Sequence, residues 1–333
     1  METPSRDTAG RETAPHATVF RDVRGGRLCA EGSVACIGAF DGLHLGHRAL
    51  LATTVERARV LGVPAVALSF EPLPREFFAP GAPPPRLMLA RDKVEGMLGL
   101  GIDRVGLLRF DRALASLSPE AFAGEVLGER VGAHELWVGP GFRFGKGRAG
   151  DLASLRAAGF DAAEIAPVLL DGERVSSTRI RAALQAGDFA VAARLLGKPY
   201  TVGGRVVRGA QLGRTLGFPT ANLRFGGKAP TLRGIYATRV HGVGPVPWPS
   251  VSSFGTRPTV DGVEPLLEAH LFDFDGDLYG RRIEVEFVAR LRDEEKFPDL
   301  PSLVAQMHRD AVAARDILQR HPSPQHDSLR ATA

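Results

Sequence analysis

The sequence predicts two domains of different class: an α/β domain with a parallel sheet, then a small antiparallel β-barrel followed by a helix. At 333 residues, the chain is long enough for two domains of ordinary size. From residue 33 to about residue 170, strand-like and helix-like segments alternate, which is typical of a parallel sheet with helices on both faces. After residue 200, short strand-like segments alternate with Gly/Pro turns, and this pattern predicts the barrel.

The first half contains four strand-like segments and three helix-like ones. Periodicity predicts strands at residues 33–37, 63–70, 105–110 and 135–139 and helices at residues 50–61 and 87–100. Ser118, Pro119 and Glu120 open a third helix, because they supply a cap, a proline at the first position and an acidic first turn. In such a fold, ligands bind at the carboxyl ends of the strands.

Two linking helices and the barrel follow. Helices are predicted at residues 178–186 and 189–196, the second capped by Asp188 and ended by Gly197. Strands are predicted at residues 200–207, 235–240, 267–272 and 282–287, with a last helix at 299–319. The expected organisation is a disordered tail (1–15), the α/β domain (16–187), a linker helix (188–199), the barrel domain (200–320) and a second disordered tail (321–333).

Composition favours a cytoplasmic protein that acts on small molecules. Hydrophobic residues make up 44% of the chain and charged residues 24%, which is ordinary for a soluble globular protein. We expect no membrane helix and no secretory signal, because no apolar run approaches about eighteen residues and the N-terminus is polar. Cys29 and Cys36 lack the spacing of metal ligands. The net charge of +4 fits anionic small substrates, and no nucleic-acid partner is expected.

The most informative motif is the glycine-rich turn at residues 38–47, which follows a strand and opens a helix. Free N–H groups at the helix start can bind phosphate, and glycines let the backbone approach it: Gly38, Gly42 and Gly46. His44 and His47 share one side of the turn and can stabilise phosphate charge. Two such histidines alone are more often structural or metal-binding. The strand–turn–helix setting favours phosphate, and the turn matches neither a Walker loop nor a dinucleotide fingerprint.

A second anion-binding turn is predicted at residues 175–181. Hydroxyls at a helix start are usually caps. Here the hydroxyls of Ser177 and Thr178, free N–H groups and the Arg181 guanidinium converge on one turn, which favours anion binding.

Aromatic loops follow two of the predicted strands. Residues 138–151 combine Gly, Lys and Arg with Phe142 and Phe144, and a shorter aromatic loop begins at Phe70. Such segments are often plain surface loops. At this edge of the sheet, however, their rings can stack on planar ligands.

In the second half, residues 209–223 form a glycine-rich loop. Gly213 and Gly217 flank Arg214 there, and Pro219 stiffens the segment that follows. Thr220 and Asn222 offer two neutral oxygens on one face of an extended segment, a donor type that suits a hard cation. Without the glycines, residues 219–222 would be only a turn, with Asn222 as a cap.

A strand in the same half carries a candidate base. Residues 267–271 alternate so that Glu268 and His270 share one face and Leu267 and Leu271 share the other. A lone glutamate on a strand is normally solvated. Phosphoryl transfer, however, needs a carboxylate that orients or deprotonates the attacking hydroxyl.

These motifs, in this order, resemble the bacterial bifunctional FAD synthetases. Residues 44–47 resemble the His-x-Gly-His signature of the nucleotidyltransferase superfamily, with Phe40, Asp41 and Gly42 similar to its flavin-nucleotide branch. Residues 219–222 resemble the Pro-Thr-Ala-Asn segment of the riboflavin kinase domain. The resemblance covers roughly residues 18–320. It implies a Rossmann-like nucleotidyltransferase domain followed by a β-barrel kinase domain.

The resemblance implies two ATP-dependent steps. The kinase would phosphorylate riboflavin, with Glu268 as base and Mg²⁺ held by Thr220 and Asn222. The adenylyltransferase would then join FMN to the α-phosphate of a second ATP, with His44 and His47 stabilising charge. The implied nucleotide-binding residues are Gly38, Phe40, Asp41, Gly42, Gly46, Ser177, Thr178, Arg181, Gly213, Arg214, Gly217, Pro219, Thr220 and Asn222. The implied flavin-binding residues are Phe70, Phe142, Phe144, Arg292 and Phe297.

One departure leaves alternatives open. The family usually has Asp or Asn where this chain has Gly141. A kinase with a weak or silent adenylyltransferase site is therefore the second hypothesis, and a flavin-responsive binding protein is the third. The expected partners are riboflavin, FMN and ATP, and the sequence leaves open whether the chains assemble into a homo-oligomer.

Overall fold

The computed structural model describes residues 18–22, 25–209, 212–259 and 262–322. The predicted disordered tail at residues 1–15 lies outside these ranges, as do residues 323–333 of the second predicted tail. The described chain forms an α/β unit and a barrel, as the sequence predicts.

The strands fall into a parallel set, a barrel set and one small hairpin. The parallel set is β1 (Thr18–Phe20), β2 (Ser33–Ile37), β3 (Ala65–Glu71), β4 (Arg104–Arg109), β5 (Ala133–Val138) and β6 (Asp161–Glu164). The hairpin is β7 (Leu169–Leu170) with β8 (Glu173–Arg174). The barrel set is β9 (Thr201–Val207), β10 (Ala221–Arg224), β11 (Gly234–His241), β12 (Trp248–Thr259), β13 (Gly262–Leu271) and β14 (Arg282–Arg292).

Helices precede, connect and follow these strands. The α-helices are α1 (Leu45–Leu61), α2 (Pro74–Phe78), α3 (Ala90–Gly99), α4 (Arg112–Ala115), α5 (Pro119–Ala121), α6 (Leu152–Ala157), α7 (Ser177–Gln185), α8 (Phe189–Leu196), α9 (Leu212–Thr215) and α10 (Leu300–Arg320). A π-helix (Phe122–Val131) continues α5, and a short 3₁₀-helix spans Lys146–Arg148. Among the described residues, no helix is both long and apolar enough to cross a membrane.

The α/β unit is a six-stranded parallel sheet with the order β1-β4-β3-β2-β5-β6. Its central strand β2 is wholly buried, and its side chains alternate between the two faces. Val34 and Cys36 belong to the core under α1 and α3, while Ala35 and Ile37 belong to the core under the π-helix and α6. Helices therefore cover both faces, which confirms the prediction.

Two predicted helices differ in detail. The helix predicted from Leu87 begins only at Ala90, because the N–H groups of Leu87 and Met88 donate to the Asp41 carboxylate at 3.1 and 3.2 Å. The Ser118 cap is confirmed, since its hydroxyl accepts from the N–H of Ala121 at 3.2 Å. The segment then widens into the π-helix, which was not predicted.

The barrel is closed and antiparallel, with the order β10-β13-β12-β11-β14-β9. Closure leaves no exposed strand edge. The long strand β12 was not predicted, because it is rich in hydroxyl, glycine and proline residues rather than alternating apolar ones. Buried hydroxyls of β12 form hydrogen bonds instead: Thr238 lies 2.7 Å from both Ser250 and Ser252.

The linking helices pack into the barrel core. Ile180 of α7 and Leu195 of α8 share one buried cluster with barrel residues. The Phe189 ring lies 6.0 Å from that of Tyr236 and 6.3 Å from that of Phe287, measured between centroids. The Asp188 cap is confirmed, since its carboxylate accepts from the N–H of Val191 at 2.9 Å. Helices α7 and α8 therefore pack against the barrel and share its hydrophobic core.

A buried ion cluster joins the two units at another point. The fully buried Arg86 guanidinium donates to Glu71, the last residue of β3, and to Glu76 of α2. From the barrel side, Lys228 lies 3.1 Å from Glu71 and 3.4 Å from Glu76. The Arg86 backbone adds two bonds: its N–H donates to Ala229 O at 2.8 Å and its carbonyl accepts from Thr231 Oγ1 at 2.7 Å.

Candidate active sites

The glycine-rich turn lies where the strand order of the sheet reverses. From β2 the chain proceeds to β3 and β4 on one side, and it returns to β5 and β6 on the other. Crevices form at such points at the carboxyl ends of the strands. The turn after β2 and the loop at residues 139–151 after β5 flank this crevice, where the sequence predicts the ligand.

His44 and His47 form a stacked pair at the start of α1. The ring centroids are 3.6 Å apart with an interplanar angle of 14°, and His44 Nδ1 accepts from the N–H of His47 at 3.2 Å. Burial lowers the pKa of His44 to about 4. Burial, together with the neighbouring His44, holds the pKa of His47 well below its usual range. Both rings are therefore neutral at pH 7, and they can act on phosphate as N–H donors rather than as cations.

The second anion-binding turn reaches the first through Asp41. Ser177 Oγ donates to the carbonyl of Asp41 at 2.8 Å, and the Arg181 guanidinium forms an ion pair with its carboxylate. Ser176, not Ser177, caps α7 by accepting from the N–H of Arg179 at 3.3 Å. Thr178 is exposed in the first turn of the helix. The structure thus brings the two predicted phosphate-binding turns side by side.

The Phe40 and Asp41 side chains support the glycine-rich turn from its buried side. Phe40 is fully buried, and its ring lies edge-on to His47 with the centroids 5.2 Å apart. Asp41 is 2% exposed, and its carboxylate is bonded to Arg181 and to the backbone of residues 87 and 88. These side chains therefore hold the loop from behind, and nucleotide binding by Phe40 and Asp41 stays a prediction.

An aromatic and basic cleft of about 1170 Å³ opens at the same edge. Phe70 packs edge-on against Phe110 at 5.5 Å, and Phe142 stacks on Phe144 at 5.6 Å. Phe144 is 7% exposed and backs the Phe142 ring. Basic side chains also line the cleft: Arg75, Arg112, Arg143, Lys146 and Arg148. A planar ring that carries an anionic group suits this cleft. Sequence reasoning missed Phe110 and Arg112, which follow β4 and were not part of any motif.

Gly141 lies in the loop after β5 with φ at +71°, and no atom approaches the position where a Cβ would stand. Its N–H donates to Glu164 Oε2 at 2.8 Å. Asn and Asp are the residues that best tolerate this left-handed conformation after glycine. The loop therefore has the backbone that the usual family residues would adopt.

In the barrel, Asn222 stands directly opposite Glu268 on neighbouring strands. Thr220 Oγ1 lies 3.5 Å from Glu268 Oε1, and Asn222 Nδ2 donates to the Thr220 carbonyl at 3.1 Å. Among the described residues, the buried Asn222 Oδ1 has no hydrogen-bond partner. A buried acceptor without a partner, next to a hydroxyl, fits a hard cation.

Two cavities meet at Thr220. One, of about 280 Å³, is lined by Gly213, Glu268 and His270 and extends under α10 to Arg292 and Phe297. The Arg292 guanidinium lies 5.7 Å from the Phe297 ring centroid and is paired with Asp310 at 2.7 Å.

The other cavity, of about 390 Å³, is lined by Arg214, Pro219, Thr220 and Tyr279. Because Thr220 borders both cavities, a ligand in one cavity can transfer a group to a ligand in the other beside this residue. Gly217, with φ at +83°, closes the turn that precedes this segment.

His270 is a site residue for which sequence reasoning gave no role. Its Nδ1 lies 2.9 Å from the Pro219 carbonyl, next to Thr220. Leu267 and Ala269 face the barrel core, while Glu268 and His270 line the cavity, so the predicted alternation is confirmed. The signal that could have found His270 was this shared face with Glu268.

Two family models together match most of the chain. The model described as FAD synthetase matches residues 27–179, and the one described as riboflavin kinase matches residues 196–318. A bifunctional riboflavin kinase/FMN adenylyltransferase of Escherichia coli (strain K12) is 43% identical over 290 residues, covering 86% of this chain and 93% of its own. The chain belongs to the bifunctional riboflavin kinase/FMN adenylyltransferase family.

Other members of the family are similarly close. The Pseudomonas fluorescens protein is 46% identical over 289 residues, covering 85% of this chain and 92% of its own. The Haemophilus influenzae protein is 38% identical over 301 residues, covering 89% and 98%. A crystal structure described as a macrolide-efflux protein from Streptococcus pneumoniae superposes with a TM-score of 0.72 at 29% identity, covering 90% of this chain and 98% of that one.

The described residues of the riboflavin kinase part form no closed metal centre. Within the residues that the structure describes, no three His, Cys, Asp or Glu side chains gather as a metal site. Thr220 and Asn222 supply neutral oxygens, and Mg²⁺ usually takes few protein ligands and keeps waters and substrate phosphates. The donor set therefore fits a Mg²⁺ that is shared with ATP.

Proposed function

We propose that this chain makes FAD from riboflavin in two ATP-dependent steps. Riboflavin is first phosphorylated to FMN, and FMN is then adenylylated with release of pyrophosphate. The observation that carries the proposal is that one chain matches two family models, FAD synthetase over residues 27–179 and riboflavin kinase over residues 196–318, with a candidate phosphate-binding loop in each matched region. Riboflavin, FMN and ATP are the small-molecule substrates.

In the kinase step, we assign Glu268 as the base that accepts the proton of the ribityl 5′-hydroxyl. Its position beside Thr220, at 3.5 Å, supports this role, because the two cavities meet there. Arg292 and Phe297 would flank the flavin, while Gly213, Arg214, Gly217 and Pro219 would border the phosphates. Thr220 and Asn222 would hold Mg²⁺, which neutralises charge on the transferring phosphoryl group.

In the adenylyl step, the FMN phosphate attacks the α-phosphorus of ATP and the bond to the β-phosphate oxygen breaks. We assign the neutral His44 and His47 as donors to the α-phosphate. Ser177, Thr178 and Arg181 would hold the departing pyrophosphate at the start of α7, where backbone N–H groups favour anions. No covalent intermediate is required, so positioning and electrostatics supply the catalysis.

We divide the chain between the two steps as follows. Residues 16–187 would carry adenylyl transfer, residues 188–199 would form the linker helix, and residues 200–320 would carry phosphorylation. Phe70, Phe142 and Phe144 would bind or back the flavin ring in the cleft of the first domain. A cytoplasmic location stays a prediction.

One time course tests both steps. The purified chain is incubated with riboflavin, excess ATP and Mg²⁺, and the flavins are separated chromatographically over time. FMN that rises and then gives way to FAD is the expected result. FMN that accumulates without FAD would favour the kinase with a silent second site, and unchanged riboflavin would contradict the enzyme function altogether.

A further inference from the structure

Lys93 is a buried lysine that lies beneath the glycine-rich turn at residues 38–47, here called the histidine turn because it carries His44 and His47. None of the sequence motifs includes Lys93. It lies on α3 and its side chain is fully buried. Its Nζ donates to the carbonyl of Ala39 at 2.8 Å and to Ser69 Oγ at 3.1 Å. Ser69 Oγ donates in turn to the Ala39 carbonyl at 3.1 Å. Lys93 thereby connects the carboxyl ends of β2 and β3, directly under the predicted phosphate site.

The turn that Lys93 anchors has a strained backbone. Phe40 and Leu43, which are not glycines, have φ values of 48° and 44°, and Gly42 between them has 97°. Such conformations persist only where the surrounding structure holds them. Asp41 fixes the middle of the turn through the backbone of residues 87 and 88. Lys93 fixes its entry at Ala39, one residue before the strain begins.

The charge of Lys93 also acts on this site. Its ammonium contributes to lowering the pKa of His47 and opposes the burial that raises the pKa of Asp41. The stacked histidines are neutral, and the cations near the turn include Arg86, Arg174 and Arg181, the last of which is paired with Asp41, together with Lys93 behind the turn. Negative charge that gathers on the α-phosphate therefore lies above a buried positive charge, in surroundings of low polarity where such a charge acts strongly.

We propose that Lys93 is a positioning residue for adenylyl transfer, which holds the strained histidine turn and supplies a buried positive charge beneath it. This inference rests on the proposed adenylyltransferase function. Lys93 does not touch the substrate; it acts through Ala39 and the turn that carries His44 and His47.

Lys93 is also a group whose charge can change near physiological pH. Burial, with the nearby Arg86, lowers its pKa to about 8, against the opposing influence of Asp41, Glu71 and Glu76. The other groups facing this region are His44 and His47, which are neutral above their lowered pKa values, Arg174 beside His44, and Arg181, which is paired with Asp41. The substrate phosphates are fully ionised above pH 7.5, since their second pKa is about 6. A loss of adenylyl transfer above pH 8 would therefore indicate deprotonation of the Lys93 ammonium.

The test compares the wild-type chain with Lys93→Met, a substitution of similar length that removes the charge. FAD formation from FMN and ATP is measured from pH 6.5 to 9.5, with FMN formation from riboflavin as the control in the same preparation. We expect Lys93→Met to lower kcat for FAD formation by roughly 10- to 100-fold with FMN formation unchanged. We also expect the wild-type rate of FAD formation to fall above pH 8 and the variant to lack that fall.

A second variant separates this role from a merely structural one. Ser69→Ala removes one acceptor of the ammonium and leaves the charge. Because a hydrogen bond to the charged form raises the pKa, its loss should move the alkaline fall to lower pH. If Lys93→Met stays within twofold of wild type, or keeps the alkaline fall, the proposal is overturned. If Lys93→Met does not fold, the pH profiles of FAD formation by the wild type and by Ser69→Ala decide. The proposal is overturned if these two profiles are identical, or if neither rate falls at alkaline pH.

Discussion

His44 Nδ1 accepts a hydrogen bond from the backbone N–H of His47, so the two imidazoles are held as a stacked pair 3.6 Å apart. The arrangement fixes the orientation of both rings before any ligand binds. It also uses His44 Nδ1 as an acceptor, which leaves Nε2 of that ring as its N–H donor. The pair therefore presents oriented neutral donors to the crevice, and its consequences can be tested one residue at a time.

Replacing His47 by Asn should impair only the second step. The amide is shorter than the imidazole and cannot keep the stacking with His44, so an aligned donor to the α-phosphate is lost. We expect FAD formation from FMN and ATP to fall by about 10²- to 10³-fold. FMN formation, measured chromatographically in the same sample, should be unchanged. Equal loss of both activities would show that the division of labour between the domains is wrong.

The buried histidines should make the fold sensitive to acid. The pKa of His44 is about 4 in the folded chain against 6.5 in the unfolded one, so the unfolded state takes up protons first as the pH falls. The stabilisation is complete above pH 6.5 and is lost as the pH falls towards 4. Down to pH 5 the loss from His44 alone is about 2 kcal/mol. Urea unfolding at pH 7 and pH 5 measures it, and His44→Asn should show a smaller difference between the two.

Replacing Glu268 by Ala should have the converse effect on the two steps. The variant lacks the proposed base for the 5′-hydroxyl, so we expect FMN formation to fall by about 10²- to 10⁴-fold. FAD formation should persist when FMN is supplied, because the histidine turn is built from other elements. Glu268→Gln is the matched control that keeps the shape: if Gln retained the full kinase rate, Glu268 would not act as a base.

Replacing Gly141 by Asn should improve the adenylyltransferase. The left-handed backbone at +71° and the open space around it accept this side chain. Asn would add a polar group at the crevice, so we expect a severalfold lower KM for ATP in FAD formation, with FMN formation unchanged. Gly141→Val is the control, since a β-branched residue is strained at this φ and should lower the rate. An Asn variant with an unaltered KM would mean that position 141 does not contact nucleotide.

Local signals account for what the sequence predicted well. The strand Ser33–Ile37 and the helix Phe189–Leu196 were predicted with the bounds that the structure has. The first is a short apolar run, and the second is defined by the Asp188 cap and by Gly197, whose φ is 72°. The turns at residues 38–47 and 175–181 were likewise recognisable, because each is a contiguous motif at a helix start; their binding of phosphate stays a prediction.

Contacts between distant segments account for what it missed. Lys93 and Ala39 are 54 positions apart, so nothing near either residue signals their hydrogen bond. The bonds of Asp41 to Arg181 and to residues 87 and 88 were missed for the same reason, because they join segments that are distant in the sequence. Strand β12 was missed for another reason: it shows no apolar alternation, because its buried Ser250 and Ser252 hydroxyls form hydrogen bonds with Thr238 of β11.

The packing of α7 against the barrel sets the order in which the two activities disappear on heating. Ile180 and Leu184 lie in the barrel's hydrophobic cluster, while Ser177 and Arg181 of the same helix reach the histidine turn. Melting the barrel would release this helix and displace Ser177 and Arg181, the residues proposed to hold pyrophosphate. Melting the sheet would leave the barrel's own cavities intact. If the two activities are divided as proposed, we therefore expect adenylyl transfer to be lost with the barrel fold and phosphorylation to persist after the sheet melts.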